Sequence, residues 1–313
     1  MNRKANQPAL RAIEVARRLC PAALWREPRT AKDFPGVICM LAGIEQGSGS
    51  GDALPSPDFW LGRNRPKHDG TLRLFCFPFA GTGASMFATW PKRLPGEVEV
   101  WPIQMPGREA RISEQPFTKL SSLVPRIADV ILPYLEKPFA FYGHSMGALI
   151  SFELARELRR RGSPLPGALL LSGRYAPHLT RERPPRYDLP DDEFLLKILA
   201  LNGNRDMLAD ELDLMRLMMP TIRADFEICE THEYVDEACL DCPLTVWGAL
   251  RDPEASVVES AAWRDQTTAS FTLRIFDGDH FFPFSCQELF MKSVVEELGR
   301  LAGLARLKPA AAK

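Results

Sequence analysis

The residue best placed for covalent chemistry in this chain of 313 amino acids is Ser145, which sits in Gly143-His144-Ser145-Met146-Gly147. A serine hydroxyl attacks a carbonyl effectively only when a base takes its proton and a third group holds that base in line. Glycines two places away on either side suit a cramped turn from strand to helix, since the absent Cβ atoms let the two elements close around a strained serine backbone. The helix that follows aims its first amides, and the positive end of its dipole, at negative charge building up on the attacked group. The chemistry these five residues point to is acyl transfer through a serine ester; the alternative is a glycine-rich strand-to-helix turn that carries an ordinary serine.

The base must be one of five histidines. His144 adjoins the serine and its side chain cannot fold back onto it; His68 lies in an N-terminal region without periodicity, and His178 and His232 belong to a long connection later in the chain. His280 is different. It follows the apolar run Phe271–Phe276 in Phe276-Asp277-Gly278-Asp279-His280-Phe281-Phe282, at the C-terminal end of a predicted strand, where the active-site loops of open α/β sheets gather. If the chain order is serine, acid, histidine, the carboxylate ends the preceding strand, and Gly248-Ala249-Leu250-Arg251-Asp252-Pro253 places Asp252 there. Asp277 and Asp279 are rivals by nearness to His280, but they share its tight turn, where an Asx motif can claim either of them. Asp252 is favoured.

Positioning these side chains requires strands that end at one rim. Phe139–Tyr142 is a short apolar run suited to a buried strand, and Leu149, Phe152, Leu154, Ala155 and Leu158 share one face of the helix after the turn. Arg159–Arg161 complement the C-terminal dipole of that helix and Gly162 ends it. Further strands are predicted at Thr71–Phe77, Glu97–Gln104, Gly167–Ser172, Pro243–Gly248 and Phe271–Phe276, with a helix over Leu120–Leu135. Strands alternating with helices imply a mostly parallel central sheet covered by helices on both faces. The connection Gly173–Cys242 is too long for a loop and is expected to fold as a helical insertion over about 181–235. It should contain one helix from Asp191 to about Asn202, a second over Glu211–Met219 that Pro220 ends, and a third over Thr221–Glu230. Its Leu and Met side chains either face an acyl chain or pack the insertion's own core.

The formal charge is −1, which argues against nucleic acid as the main partner. No apolar run reaches the roughly 18 residues that span a bilayer, and the N-terminus has no apolar core of signal-peptide type, so no membrane role and a cytoplasmic location are expected. The seven cysteines are scattered and odd in number, unlike a disulfide framework. Cys239 and Cys242 form a C-x-x-C without a second ligand pair or a following helix, so they read as loop residues leading into a strand rather than as a metal or redox site. Residues 1–69 are expected to be a poorly ordered extension, with a short amphipathic helix over Ala9–Leu19; a translation start at Met40 or later, or a docking tail, are alternatives for it. The folded domain is expected over 70–305, followed by a tail over 306–313.

The motifs Phe75-Cys76-Phe77-Pro78-Phe79-Ala80-Gly81, Gln104-Met105-Pro106-Gly107-Arg108, Phe139–Gly147, Ser172-Gly173-Arg174, Leu189–Phe194, Leu217–Phe226 and Gly278–Phe282 stand in one order along the chain. Together they resemble the type II thioesterases that accompany polyketide and nonribosomal peptide synthetases, from about residue 71 to about 300. The resemblance implies an α/β-hydrolase fold with a helical lid insertion and a triad of Ser145, Asp252 and His280. It implies an oxyanion hole formed by the backbone N–H of Met146 and of Ala80, with Phe79 as the alternative to Ala80; Gly81-Thr82-Gly83 departs from the Gly-Gly usual there. The implied substrate is an acyl group on the phosphopantetheine arm of an acyl- or peptidyl-carrier protein, handled by a monomer with no cofactor and no metal. A general carboxylesterase, or a non-catalytic carrier-binding protein, are the rival functions. The arginines of Arg174–Arg186 suggest either a patch for an acidic carrier protein or a solvated segment leading into the lid.

Overall fold

The computed structural model describes residues 57–61, 70–181, 183–201 and 209–301. Its centre is a sheet of strands β1 (Leu72–Phe77), β2 (Val98–Pro102), β3 (Phe139–His144), β4 (Leu169–Ser172), β5 (Leu244–Ala249) and β6 (Phe271–Phe276). All pairs are parallel and the spatial order is β2-β1-β3-β4-β5-β6. Helices follow in the order α1 (Pro57–Trp60), α2 (Leu120–Ile131), α3 (Met146–Arg160), α4 (Asp191–Leu201), α5 (Ala209–Glu230), α6 (Val257–Ala261), α7 (Phe282–Ser285) and α8 (Gln287–Leu301).

Parallel strands need covering on both faces, and the alternation along each strand supplies two apolar surfaces. Phe75, Phe77, Phe139, Phe141 and Leu171 point to one face, where α2 and α3 bury Ile127, Leu149, Phe152 and Leu154. Leu74, Cys76, Tyr142, Leu170 and Trp247 point to the other, where Phe87, Trp90 and the α8 residues Phe290, Val294 and Leu298 pack. The chain leaves β1 toward β2 and then returns to β3 on the opposite side of β1. Connections therefore diverge at the C-terminal ends of β1 and β3, which opens a crevice at that rim.

Three expectations are corrected. Pro220 does not end a helix: α5 runs unbroken through it from Ala209 to Glu230, and one helix replaces two. A proline removes one hydrogen bond from the ladder, but Met218, Met219, Thr221 and Ile222 on both sides of it are buried, and their packing holds the segment helical. The helix from Leu120 stops at Ile131 and tightens into a 3₁₀ turn over Leu132–Tyr134, where Pro133 follows. The folded unit also reaches back into the stretch expected to be an extension, because Trp60 and Leu61 lie in the core. The Trp60 ring is 1% exposed, carries the Arg111 guanidinium 4.5 Å above it and has Phe117 at 6.2 Å. One buried indole among prolines leaves no periodic trace in the sequence. The rest of 1–69, including the helix expected over Ala9–Leu19, and the tail 306–313 lie outside the described residues.

Among the described residues no helix is long and apolar enough to cross a membrane.

Candidate active site

Strand β3 runs into helix α3 through Ser145, whose φ of 54° and ψ of −111° are strained for a residue with a Cβ. The strain is held in place by contacts that only glycine permits. A Cβ on Gly143 would stand 2.0 Å from the Gly147 carbonyl oxygen, and one on Gly147 would stand 2.1 Å from the carbonyl oxygen of Phe77 in β1. The Ser145 N–H donates to the Ser172 carbonyl at 2.8 Å, tying the turn to the end of β4. Helix geometry leaves the N–H of Met146, the first residue of α3, without an intrahelical acceptor.

His280, in the loop after β6, places Nε2 3.1 Å from the Ser145 hydroxyl oxygen. Its Nδ1 lies 3.0 Å from each carboxylate oxygen of Asp252, in the loop after β5. A carboxylate only accepts, so Nδ1–H donates to Asp252 and Nε2 is left to accept from the serine hydroxyl. The carboxylate is itself fixed: Oδ1 accepts the Glu254 N–H at 2.8 Å and the Ala255 N–H at 3.3 Å. Both side chains are buried, so the pair works in a low dielectric where orientation is costly to lose. The rival carboxylates are occupied elsewhere. Asp277 pairs with Arg251 at the surface, and Asp279 accepts the Phe281 N–H at 2.9 Å as an Asx motif.

The remaining described histidines have other partners. His178 Nδ1 accepts from the Gln266 amide at 2.8 Å, and His232 Nε2 faces Glu153 at 3.3 Å. His144 lies under the site, its Nδ1 2.9 Å from the Ser172 hydroxyl and its ring centroid 5.1 Å from that of His280. Burial, and then the charge of His280, push its imidazole well below the ordinary histidine range, so it stays neutral. Gly173, at φ +60°, leaves room for this ring: a Cβ there would be 2.4 Å from its Cε1.

A cavity of about 420 Å³ opens over Ser145 and His280. Ala80 and Phe79 line it from the loop after β1, and α4 and α5 roof it with Ile198, Leu199, Met215, Ile222 and Phe226. Among the described residues the N–H of Ala80 meets no acceptor. The Leu and Met residues of the insertion divide between the two expected uses. Met215 lines the cavity, Met218 and Met219 pack the insertion's own core, and Leu217 faces solvent at 66% exposure. One flank of the cavity is polar, with Arg174, Arg186 and Glu254.

The arginine segment that suggested a carrier-protein patch is committed internally. Arg181 pairs with Glu259, Arg183 with Glu254, and Arg186 with both Glu230 and Glu254. Two further features had no local signal in the sequence: the Arg108–Asp225 pair, which joins residues 117 apart, and the Arg186–Glu254 pair beside Asp252. The Cys239 thiol donates to the Asp265 carbonyl and the Cys242 thiol to that of Pro166, and burial pushes Cys242 up to about 12.

A serine at a strained strand-to-helix turn, with a histidine and a carboxylate from the last two strand ends, is the arrangement of an α/β-hydrolase. The thioesterase domain family matches residues 72–300. The chain is 41% identical over 246 residues to the Brevibacillus parabrevis protein named linear gramicidin dehydrogenase LgrE, covering 78% of this chain and 94% of that one. Among solved structures, the thioesterase RedJ of the prodiginine pathway in Streptomyces coelicolor superposes with a TM-score of 0.69 at 36% identity, over 80% of this chain and 96% of that one. The type II thioesterase BorB of the borrelidin cluster gives 0.68 at 32%, over 77% and 97%. The chain thus belongs to the thioesterase family: it is a serine hydrolase that cleaves thioesters, of the type II kind found in nonribosomal peptide and polyketide pathways.

Proposed function

We propose that the chain removes acyl groups from the phosphopantetheine arm of acyl- or peptidyl-carrier proteins, through an acyl-enzyme on Ser145. The observation that carries this reading is the relay Ser145–His280–Asp252, with contacts of 3.1 and 3.0 Å, opening beneath a largely apolar cavity. His280 Nε2 takes the hydroxyl proton as Ser145 attacks the thioester carbonyl, and Asp252 stabilises the imidazolium that results. The N–H groups of Met146 and Ala80 hold the oxyanion. Collapse of the tetrahedral species expels the pantetheine thiol, which takes the proton from His280. A water molecule then gives its proton to the same nitrogen and attacks the serine ester, and as the second tetrahedral species collapses His280 returns that proton to the Ser145 oxygen and the acid leaves. No step calls for a metal or a cofactor. The protein acts as a cytoplasmic monomer that returns blocked carrier proteins to service.

The alternation of an apolar roof with a polar flank suits an acyl chain entering from a thioester, and it would also admit small oxygen esters. Turnover of an acyl-carrier thioester compared with a nitrophenyl ester of equal chain length decides between them. Ser145→Ala should lower kcat by about 10⁴-fold or more while the unfolding midpoint stays within a few degrees. Near-normal hydrolysis by that variant would remove this mechanism.

A further inference from the structure

We propose that Asp225, carried by helix α5 in the roof of the cavity, is a positioning residue for the loop Phe79–Thr82, so that the roof and the Ala80 amide form one mechanical unit. The inference rests on the acyl-transfer reading of the site. Asp225 is fully buried, and its Oδ2 accepts the backbone N–H of Gly81 at 2.7 Å across 144 residues of sequence. The same oxygen accepts from Arg108 Nη1 at 2.7 Å, and Oδ1 accepts from Arg108 Nη2 at 2.8 Å. Arg108 in turn donates from Nη1 to the Thr82 carbonyl at 3.2 Å and from Nε to that of Pro106 at 3.2 Å.

The loop is therefore fixed from several directions. Gly81 is held by its N–H, and the Phe79 carbonyl accepts from the Thr82 N–H at 3.1 Å and from its hydroxyl at 2.8 Å. Ala80 lies between these restraints with its own N–H facing no acceptor among the described residues. Helix α5 also touches the loop by packing. Gly81 adopts φ +79°, and a Cβ there would stand 2.8 Å from Ile222 Cγ1, one turn before Asp225. Thr221 donates its hydroxyl to the Gly107 carbonyl, which seats the same helix on the segment that carries Arg108.

The carboxylate is specifically required by this geometry. Three donors converge on two oxygens, and an asparagine, with one acceptor and one NH₂ group, cannot receive a guanidinium fork and an amide together. A buried ion pair is a weak source of net stability because desolvation offsets its attraction. Its consequence here is orientation: a displacement of α5 away from the loop withdraws the restraint on the peptide next to Ala80.

The test compares Asp225→Asn, Arg108→Lys and the double variant Arg108→Gln/Asp225→Asn. For each, kcat and KM are measured with an acyl-pantetheine thioester, together with the inhibition constant of an alkyl trifluoromethyl ketone, whose hemiketal oxygen occupies the oxyanion position. Asp225→Asn should lower kcat on the order of 10²-fold, the scale of a misplaced oxyanion donor, with KM changed by less than about 3-fold. Ketone affinity should fall in parallel, and the pH profile of kcat/KM should keep its shape because His280 is untouched. Arg108→Lys retains the carboxylate on Gly81 but loses the guanidinium fork and its bond to the Thr82 carbonyl, so its kcat should fall, though less than that of Asp225→Asn, and its stability should fall as well. If the single asparagine variant does not fold, the double variant, which removes both buried charges, carries the same prediction. Unchanged kcat in the folded variants overturns the proposal, as does lost kcat with undiminished ketone affinity. A wild-type protein that neither hydrolyses thioesters nor reacts with an alkyl fluorophosphonate at Ser145 overturns the underlying reading, and the proposal with it.

Discussion

Two imidazoles lie 5.1 Å apart at this site, and their surroundings give them opposite tasks. His280 joins the serine to a carboxylate, whereas His144 sits in the packing below, bonded to Ser172 and held neutral by burial and by the nearby His280. The second fact has a measurable sign. The native state refuses a proton that the unfolded chain accepts once pH falls below its ordinary value of 6.5, so the unfolded state binds more protons and stability falls with falling pH. The stability of wild type, from urea unfolding, should decline below about pH 6.5 with a contribution near 1.4 kcal/mol per pH unit from this group. His144→Gln should flatten that slope by one proton; an unchanged slope would mean that His144 titrates normally. The grouping of Ser145, Asp252 and His280 was legible in the sequence because each is marked locally: the serine by flanking glycines that pack closely against Gly147 and Phe77, the aspartate and the histidine by strand ends. Choosing Asp252 over Asp277 needed only chain order, and the surface pairing of Asp277 with Arg251 agrees with that choice.

At the scale of elements, the segment Arg181–Arg186 acts as a brace on the loop that carries the acid. Arg181 donates to the Glu254 carbonyl at 2.7 Å, Arg183 to that of Pro253 at 3.1 Å, and Arg186 spans from Glu254 to Glu230 at the end of α5. Burial alone would raise the Glu254 carboxyl, but the hydrogen bonds and charge of Arg186 override it and hold it below the ordinary carboxylate range. The stability from this pair is complete above pH 4.5 and is lost as pH falls through the lower native value. Arg186→Met should therefore cost about 2 kcal/mol at pH 7 and lower kcat through the Asp252 loop, with the stability difference from wild type shrinking below pH 4.5. A difference that persists undiminished at pH 3 would assign the loss to packing against Phe226, which the guanidinium covers at 4.8 Å. Charge clustering was visible in the sequence, but the acidic partners lie tens of residues away, so a brace and a docking patch looked alike. Pro220 misled for the opposite reason, since local propensity yielded to the burial of its neighbours.

For the molecule as a whole, the strands and their alternation with helices were readable because each strand is a compact apolar run and each crossover needs a helix, whereas the spatial order came only with the structure. The boundary was not. Trp60 joins the first-face core, and its carbonyl accepts the Gln104 N–H at 2.7 Å beside the segment that holds Arg108. Trp60→Ala should be destabilised by about 3–5 kcal/mol, as expected for an emptied indole site, and a chain begun at residue 70 by a comparable amount. Urea midpoints equal to that of the full chain in both would show that the core closes without the indole.

The serine and the histidine that bond at 3.1 Å stand 135 residues apart, and β4, the roofing helices and β5 are threaded between them. A polypeptide emerging from the ribosome thus carries an inert hydroxyl until β6, the last strand, has docked. Covalent tagging of Ser145 by a fluorophosphonate would consequently count finished molecules, and its onset during refolding marks when the loop after β6 has reached the end of β3.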